Sequence, residues 1–598
     1  MTEDMATERA AGLTTDRLAR AMLVVGLVAL AATIVVAIVV ALHRTNVFPN
    51  DDQALIDLRV RDVGAYNPLV GSYERFGGNQ PGPFLFYLLA APYRIVGAGP
   101  SGLAVATVLI TFASIGGCVL IAARRGGPLG ALWAVGLFLL VLEARGVDVL
   151  FSPWEPQVLL TALALLMFLV WDLASGRVWA LPVAAVVATL LAQAWVVFGV
   201  FVAVLGGVGA VIGIANLVRE RRAPGSRHGA LAAIGTTVVV VGILWLPPVV
   251  EQLTHDPGNL TELSSIHRTG RATGLVDGYR TVAIQFGSDA PWLGHTVPTA
   301  AFSPTVDLGD GDGVPLALLA FAGAAILAGR RRARVADRLN LVVGATLLAA
   351  IVTCALVFGG VFVWIVEPDR VVAMMLWLAA GWSVVAALPA GSRRTFTRVA
   401  APVLAAGVVA ISILLVTDLL DQPDDAGRLA EAVGRLADDA LADRRTLAEP
   451  VLVESTAHAA MRGEERCCAP ILASALERGG ADVVVSTDEA HRFAAHRAHP
   501  GAARSQLLLT TFTSATPPAR RGYVLVATTD PLTRRERARL TAIDLRLRAL
   551  VGRDPGVAAI AAAERRSPEV ARLFRARGRL PDFARLALYR RPAPTPVT

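Results

Sequence analysis

From residue 21 to about residue 420 the chain repeats one pattern: apolar runs of about 20 residues separated by short polar connections. At 1.5 Å of rise per residue, a helix of that length crosses a hydrocarbon core about 30 Å thick. The pattern predicts about eleven transmembrane helices, at residues 21–42, 101–123, 127–145, 157–174, 178–193, 197–218, 229–249, 314–329, 339–358, 371–389 and 399–419. Two stretches between the first and second spans depart from it. Residues 52–63 read as a helix with Leu55, Leu58 and Arg59 on one side and Asp57 and Arg61 on another. Residues 81–97 are apolar and aromatic but are interrupted by Pro92 and Arg94, so they predict an amphipathic helix lying at the interface. Together these two surface helices, within an outer loop at 43–100, would frame a cavity.

After Leu420 the apolar runs shorten and charges rise. Residues 421–598 are long enough for a separate domain. Short β-rich runs at Val451 to Val453, Val483 to Val485, Leu507 to Thr510 and Val524 to Ala527 alternate with helical segments such as Arg534 to Leu550, which predicts an α/β domain. A second long outer loop, 251–312, is rich in Gly, Asp and Thr. It reads as an unstructured lid that gates an acceptor, and its Asp307-to-Asp312 stretch reads as a turn rather than a calcium loop, because the distal glutamate is absent.

Charge supplies the orientation. The sequence contains no lysine, and its short basic connections fall at Arg124-Arg125, Arg219 to Arg222, Arg330 to Arg334 and Arg393-Arg394. The positive-inside rule places all four in the cytoplasm, with residues 1–20 a cytoplasmic tail, 21–420 the transmembrane domain and 421–598 extracytoplasmic. The first span is too long for a signal-peptide core and reads as a retained anchor. Composition agrees: 54% hydrophobic and 17% charged residues, with a mean hydropathy of +0.56, exclude a water-soluble globule. The formal charge of +8 is explained by topology and anionic lipid rather than by nucleic acid. Cys118 and Cys354 lie in spans as small apolar groups, and the adjacent Cys467-Cys468 read as a free pair.

The polar residues worth chemistry gather at the outer mouths. Asp51 and Asp52 follow the first span, and an acidic pair at a membrane surface needs water, ligand or partner to compensate it. The plain alternative is a solvated loop with a helix N-cap at Asp51 or Asp52. Asn79-Gln80-Pro81-Gly82-Pro83 leads into the interfacial helix, Ser152-Pro153-Trp154-Glu155-Pro156 opens the fourth span, and Gln193-Ala194-Trp195 marks an outer turn. Trp245-Leu246-Pro247-Pro248 ends the seventh span, and Glu367-Pro368-Asp369-Arg370 opens the tenth. The sequon-like Asn259-Leu260-Thr261 reads as incidental.

In order and motif the chain resembles the GT-C fold glycosyltransferases that use polyprenyl-phosphate sugars, such as the protein O-mannosyltransferases and the aminoarabinose transferases of lipid A. Those enzymes carry an acidic residue in an Asp-Glu-Ala-like string just after the first span. Asp52-Gln53-Ala54 matches it, and Asn79 to Pro83 looks like the second element, with Gln80 where many relatives have histidine. The resemblance covers roughly residues 20 to 420. It implies an inverting transfer of a sugar from a polyprenyl-phosphate donor to a hydroxyl acceptor, a glycan, lipid or protein of the envelope, on the outer face of a bacterial plasma membrane.

Under that expectation Asp52 is the general base, and Asp51 and Glu155 orient the acceptor or, with Asp52, share a divalent cation such as Mg or Mn. No compact metal motif is present. Arg370 is the first candidate for the donor phosphate, with Arg59, His267 and Arg268 behind it, since a guanidinium fork suits an oxyanion. An arginine flanked by Glu367 and Asp369 also fits a purely ion-paired role. Asn79, Gln80, Gln193 and Trp195 would line the substrate cavity. The outer domain would bind acceptor glycan or an envelope protein. Two other classes stay open: a non-catalytic glycan-binding scaffold, and a transporter of lipid-linked sugar, which would want ionisable groups at the membrane midplane.

Overall fold

In the computed structural model, every apolar run expected to cross the membrane lies on helix. Among the described residues seven helices are long and apolar enough to do so: Thr14–His43, Pro100–Arg145, Glu155–Ala174, Phe198–Ala215, Arg334–Ala355, Glu367–Ala387 and Ala390–Asp421. The pair His228–Leu244 and Leu246–Thr254, bent by 44°, makes an eighth, and Phe84–Val96, Ala180–Ala194 and Leu316–Arg330 are shorter apolar helices. The chain is therefore a polytopic helical membrane protein carrying one small mixed sheet. The structure describes residues 2–43, 49–74, 77–220, 226–265, 271–299, 305–308, 314–421, 427–457, 468–512, 514, 516–552, 567–578 and 583–592.

The 46-residue helix Pro100–Arg145 folds back on itself. A straight helix would hold Thr111 and Phe138 about 40 Å apart, yet both line one small cavity. The reversal lies at Gly127, whose φ of 64° is left-handed and which precedes Pro128. The neighbouring Gly126 has no room for a side chain, because a Cβ there would meet the Trp382 ring at 1.6 Å. The runs at 101–123 and 127–145 are thus the two arms of a hairpin.

The chain divides into two compact units, Met1–Arg44 with Asp62–Gln422, and Thr45–Arg61 with Pro423–Thr598. In the first, Thr14–His43 packs against Ala390–Asp421 and Pro100–Arg145. One helix end of this unit is basic. Arg125 pairs with Asp172 at 2.5 Å, Arg177 lies 3.8 Å from the same carboxylate, and the Trp171 indole N–H donates to the Val335 carbonyl at 3.0 Å. The 251–312 region is not the unstructured loop expected from composition: it contains helices Asn259–Ser265 and Gly274–Ala283, because its apolar residues, among them Val282 and Phe286, find burial in the same unit. Asp310 to Asp312 lie outside the described residues.

The second unit is built on a five-stranded sheet in the order β2-β1-β3-β5-β4. Its strands are β1 (Val451–Ser455), β2 (Val483–Val484), β3 (Ser505–Phe512), β4 (Val524–Thr529) and β5 (Arg585–Pro592). β1 runs parallel to β2 and β3, while β5 is antiparallel to β3 and β4. Four of these strands follow the runs visible in the sequence; β5 slots between β3 and β4. Helix Arg428–Leu441 and helix Ala469–Arg478 pack together, the latter also against β1. Cys468 is disulfide-bonded, so the expected free thiol is corrected there, and Cys467 lies outside the described residues. Helix Asp51–Asp62, all but its last residue, belongs to this unit, and Phe84–Val96 belongs to the first.

Candidate functional site

A polar group buried in an apolar bundle is costly unless hydrogen-bonded, so where such groups gather is informative. In the first unit they gather opposite the basic end. Glu155 and Asp172 stand near the two ends of helix Glu155–Ala174, about 25 Å apart along its axis. Asp172 belongs to the basic end, and Glu155 to a second layer.

Backbone pairing of residues 71–74 with 78–80 begins that layer. The Gly71 N–H donates to the Gln80 carbonyl at 2.9 Å, the Gln80 N–H to the Ser72 carbonyl at 2.7 Å, and the Glu74 N–H to the Gly78 carbonyl at 2.9 Å. This geometry brings the Ser72 hydroxyl to Glu155, to whose carboxylate it donates. Gln80 is buried and bridges: its amide N–H donates to Glu74 at 2.7 Å, and its carbonyl accepts the Val196 N–H at 2.8 Å. Asn79 and Asn259 clasp each other. The Asn79 backbone N–H donates to Asn259 Oδ1 at 2.8 Å, Asn259 Nδ2 returns a bond to the Asn79 carbonyl at 2.9 Å, and the Asn259 N–H donates to Glu251 at 2.8 Å. Gln193, wholly buried, donates to the Leu244 carbonyl at 2.8 Å while its Oε1 has no hydrogen-bond partner. Gly82 lies against it so closely that a Cβ would stand 2.4 Å from that oxygen. Trp195 packs edge-on against Phe198 at 5.4 Å between centroids.

The basic component of this layer comes from two other helix ends. Glu367 receives Arg145 at 3.1 Å and Arg370 at 3.1 Å, and Arg370 also donates to the Pro291 carbonyl. Two guanidiniums on one carboxylate leave one positive charge over among these three side chains. Asp369, next to Arg370 in the chain, accepts from the Cys354 thiol at 3.7 Å. The Trp154 and Trp364 rings meet edge-on at 6.3 Å, tying the segment before Glu155 to the segment before Glu367. Arg145 also lines a cavity of about 20 Å³ with Gln157 and Thr161. The Arg145 Nε and the Thr161 hydroxyl that line this cavity have no hydrogen-bond partner.

In the second unit, Asn50 rather than Asp51 or Asp52 caps the acid-bearing helix. The Gln53 N–H donates to Asn50 Oδ1 and the Asn50 N–H to Gln53 Oε1, each at 3.3 Å, a reciprocal capping box. That leaves Asp51 and Asp52 in the first turn, where the helix dipole favours an anion. Asp51 accepts the Cys468 N–H at 2.8 Å, and Asp52 is half-buried. Arg59 is buried and donates to the His491 carbonyl at 3.2 Å, a structural engagement within this unit. His267 and Arg268 lie outside the described residues. Among the described residues no three His, Cys, Asp or Glu side chains come together to hold a metal ion.

Of the sequence candidates in the first unit, Asn79, Gln80, Gln193 and Glu155 fall in one hydrogen-bonded layer, and Trp154 and Trp364 join it to Arg370. Arg145 and Asn259 were missed. An arginine at the far end of a span from the basic connections, as in Glu143-Ala144-Arg145, runs against the positive-inside rule and is a signal the sequence did contain. Asn259 was hidden by its sequon-like setting.

No family model matches the sequence, and no curated protein matches it. Among solved structures the chain is similar to ArnT from Cupriavidus metallidurans in the apo state, with 15% identity and a TM-score of 0.49 over 81% of this chain and 92% of that one. It is similar to the same protein bound to undecaprenyl phosphate, with 14% identity, the same TM-score and the same coverage.

Proposed function

We propose that this protein is a GT-C-type glycosyltransferase that moves a sugar from a polyprenyl-phosphate donor to a hydroxyl acceptor on the outer face of the plasma membrane. The observation that carries the reading is the Arg145–Glu367–Arg370 cluster. Two guanidiniums held together at a helix end of an apolar bundle suit an anion, and a lipid phosphate at headgroup depth is one that would meet them there. Arg145 is the better ligand of the two, since its Nε has no hydrogen-bond partner, whereas Arg370 donates to Glu367 and Pro291.

In the transfer, a carboxylate takes the acceptor's hydroxyl proton, the oxygen forms its bond to the anomeric carbon, and the bond from that carbon to the phosphate oxygen breaks. Polyprenyl phosphate leaves with the electron pair, its charge held by the guanidiniums, and the anomeric centre inverts. The base is proposed among the three carboxylates singled out by sequence: Asp52 first, then Asp51 and Glu155.

The test compares purified wild type with Arg145→Gln, Asp52→Asn and Glu155→Gln. Two quantities are measured: affinity for undecaprenyl phosphate, and release of polyprenyl phosphate from a panel of lipid-phosphate sugars with a membrane-extract acceptor. Arg145→Gln should weaken lipid-phosphate binding by about 10- to 100-fold, the worth of a charged hydrogen bond. Asp52→Asn should bind normally and turn over at least about 100-fold more slowly. Equal affinity for wild type and Arg145→Gln, with no turnover by wild type, would leave a scaffold or glycan-binding role as the better account.

A further inference from the structure

We infer that the C-terminal unit serves as the holder of the acid-bearing helix, with Asp57, Arg61 and Ser474 as positioning residues for Asp52. The consequence for turnover rests on Asp52 being the base proposed above; the consequence for the helix does not.

Helix Asp51–Asp62 has 12 residues, a length at which a helix alone in water is marginal. Its order must come from what it packs on, and the helix is anchored from Asp51 to Arg61 within the second unit. At its start, Asp51 accepts the Cys468 N–H. Near its end, Arg59 donates to the His491 carbonyl. Between them lies a hydrogen-bonded network. The Asp57 side chain is fully buried and pairs with Arg61 one turn later. The Ser474 hydroxyl donates to Asp57 at 2.7 Å, and its oxygen accepts from Arg61 at 2.9 Å, so one small side chain bonds to both members of the pair. Arg61 also donates to the Ser474 carbonyl at 3.0 Å and lies 3.8 Å from Glu477. Glu477 is held in turn by Arg497 at 2.5 and 3.0 Å, and Arg497 donates to the Phe493 carbonyl at 2.9 Å.

A buried ion pair of this kind is a poor source of net stability but a strong source of register, because each partner left alone is heavily penalised. Ser474 lies in the middle of helix Ala469–Arg478, which packs against β1, so the register is referred to the sheet. Sliding or rotating the Asp51–Asp62 helix by one residue would break the Asp57, Arg59 and Arg61 bonds together. Asp52 therefore stands at a fixed place relative to this unit, which a surface loop would not provide.

The experiment uses the full-length protein in detergent and reads hydrogen exchange of peptides covering residues 51–61. The variants are Asp57→Asn, Ser474→Ala and Ser474→Thr, the last keeping the hydroxyl. We expect Asp57→Asn and Ser474→Ala to speed exchange in 51–61 by at least about tenfold and Ser474→Thr to restore most of the protection, with β3 and β5 exchanging as in wild type in all three. Unchanged β3 and β5 protection shows that the unit has folded. Exchange in 51–61 as slow as wild type in both disrupting variants overturns the proposal. In the turnover assay the loosened variants should lower kcat and leave the KM for the lipid donor within about twofold, with Ser474→Thr rescuing kcat. Loosening without any change in the kcat of an active wild type also overturns the positioning role. Loosening together with a wild type inactive on every donor leaves the anchoring established and removes the glycosyltransferase reading.

Discussion

Gly82 lies so close to the Gln193 side chain that one methyl group tests the layer. A Cβ there would stand 2.4 Å from Gln193 Oε1 and 2.8 Å from Pro248 Cγ. Overpacking of this kind costs about 1–3 kcal/mol, so Gly82→Ala should lower the melting temperature in detergent, and an unchanged transition would contradict the observed packing. Asn259→Ala should also destabilise, by about 1–3 kcal/mol for each buried group it strands: the Asn79 N–H loses its acceptor, and the Asn79 carbonyl loses its donor. Residue identity was enough to bring Asp52, Gln80 and Gln193 forward, because polar side chains at the ends of apolar runs stand out. It was not enough to rank Arg145 above Arg370, since that ranking depends on which guanidinium nitrogens already have partners.

Local pattern was most legible at the scale of elements. The runs at Val451, Val483, Leu507 and Val524 all became strands, and Arg534–Val551 became a helix closed at its start by a Thr533–Glu536 capping box. β5 escaped notice because Arg590 and Arg591 break its apolar character; Arg590 pairs with Asp443 and Arg591 donates to the Gln506 amide oxygen, partners far away in sequence. The capping helix also carries a pH dependence. Hydrogen bonds from Arg428 and then Thr533 hold Glu536 down, from an ordinary 4.5 to about 2. Burial pushes Asp530 up, but hydrogen bonds from Arg537, the Leu532 N–H and Arg585, with the Arg537 charge, outweigh it and hold that carboxyl below its usual value. Both pKa values are lower folded than unfolded, so both carboxylates contribute stability above the unfolded value that is lost as pH falls through the folded one. Glu536→Gln should therefore melt below wild type at pH 7, and calorimetry should show the gap narrowing from pH 4.5 down to about 2. A gap that stays constant with pH would mean the charge plays no part.

For the whole molecule, the separation between the Arg125–Asp172 end and the Glu155 layer matches a hydrocarbon core, and the positive-inside rule then gives each end a side. The expected arrangement has the N-terminus inside and the C-terminal unit outside. A membrane-impermeant thiol reagent should label Thr516→Cys in intact cells and Arg331→Cys only after permeabilisation, both positions being exposed. The reverse order would invert the topology and move the proposed chemistry to the cytoplasm. The sequence by itself determined the membrane class, the positions of the helices and most strands, because hydrophobic periodicity is a local response to lipid or water. It also drew attention to the mouths where polar residues interrupt that response. Only the tertiary structure decided that Pro100–Arg145 doubles back at Gly127, that Glu367 joins Arg145 to Arg370, that Asn259 clasps Asn79, and that Asp51–Asp62 belongs with the C-terminal unit. All but the first depend on which distant groups meet a buried charge or hydrogen bond, and such pairings have no period along the chain to reveal them.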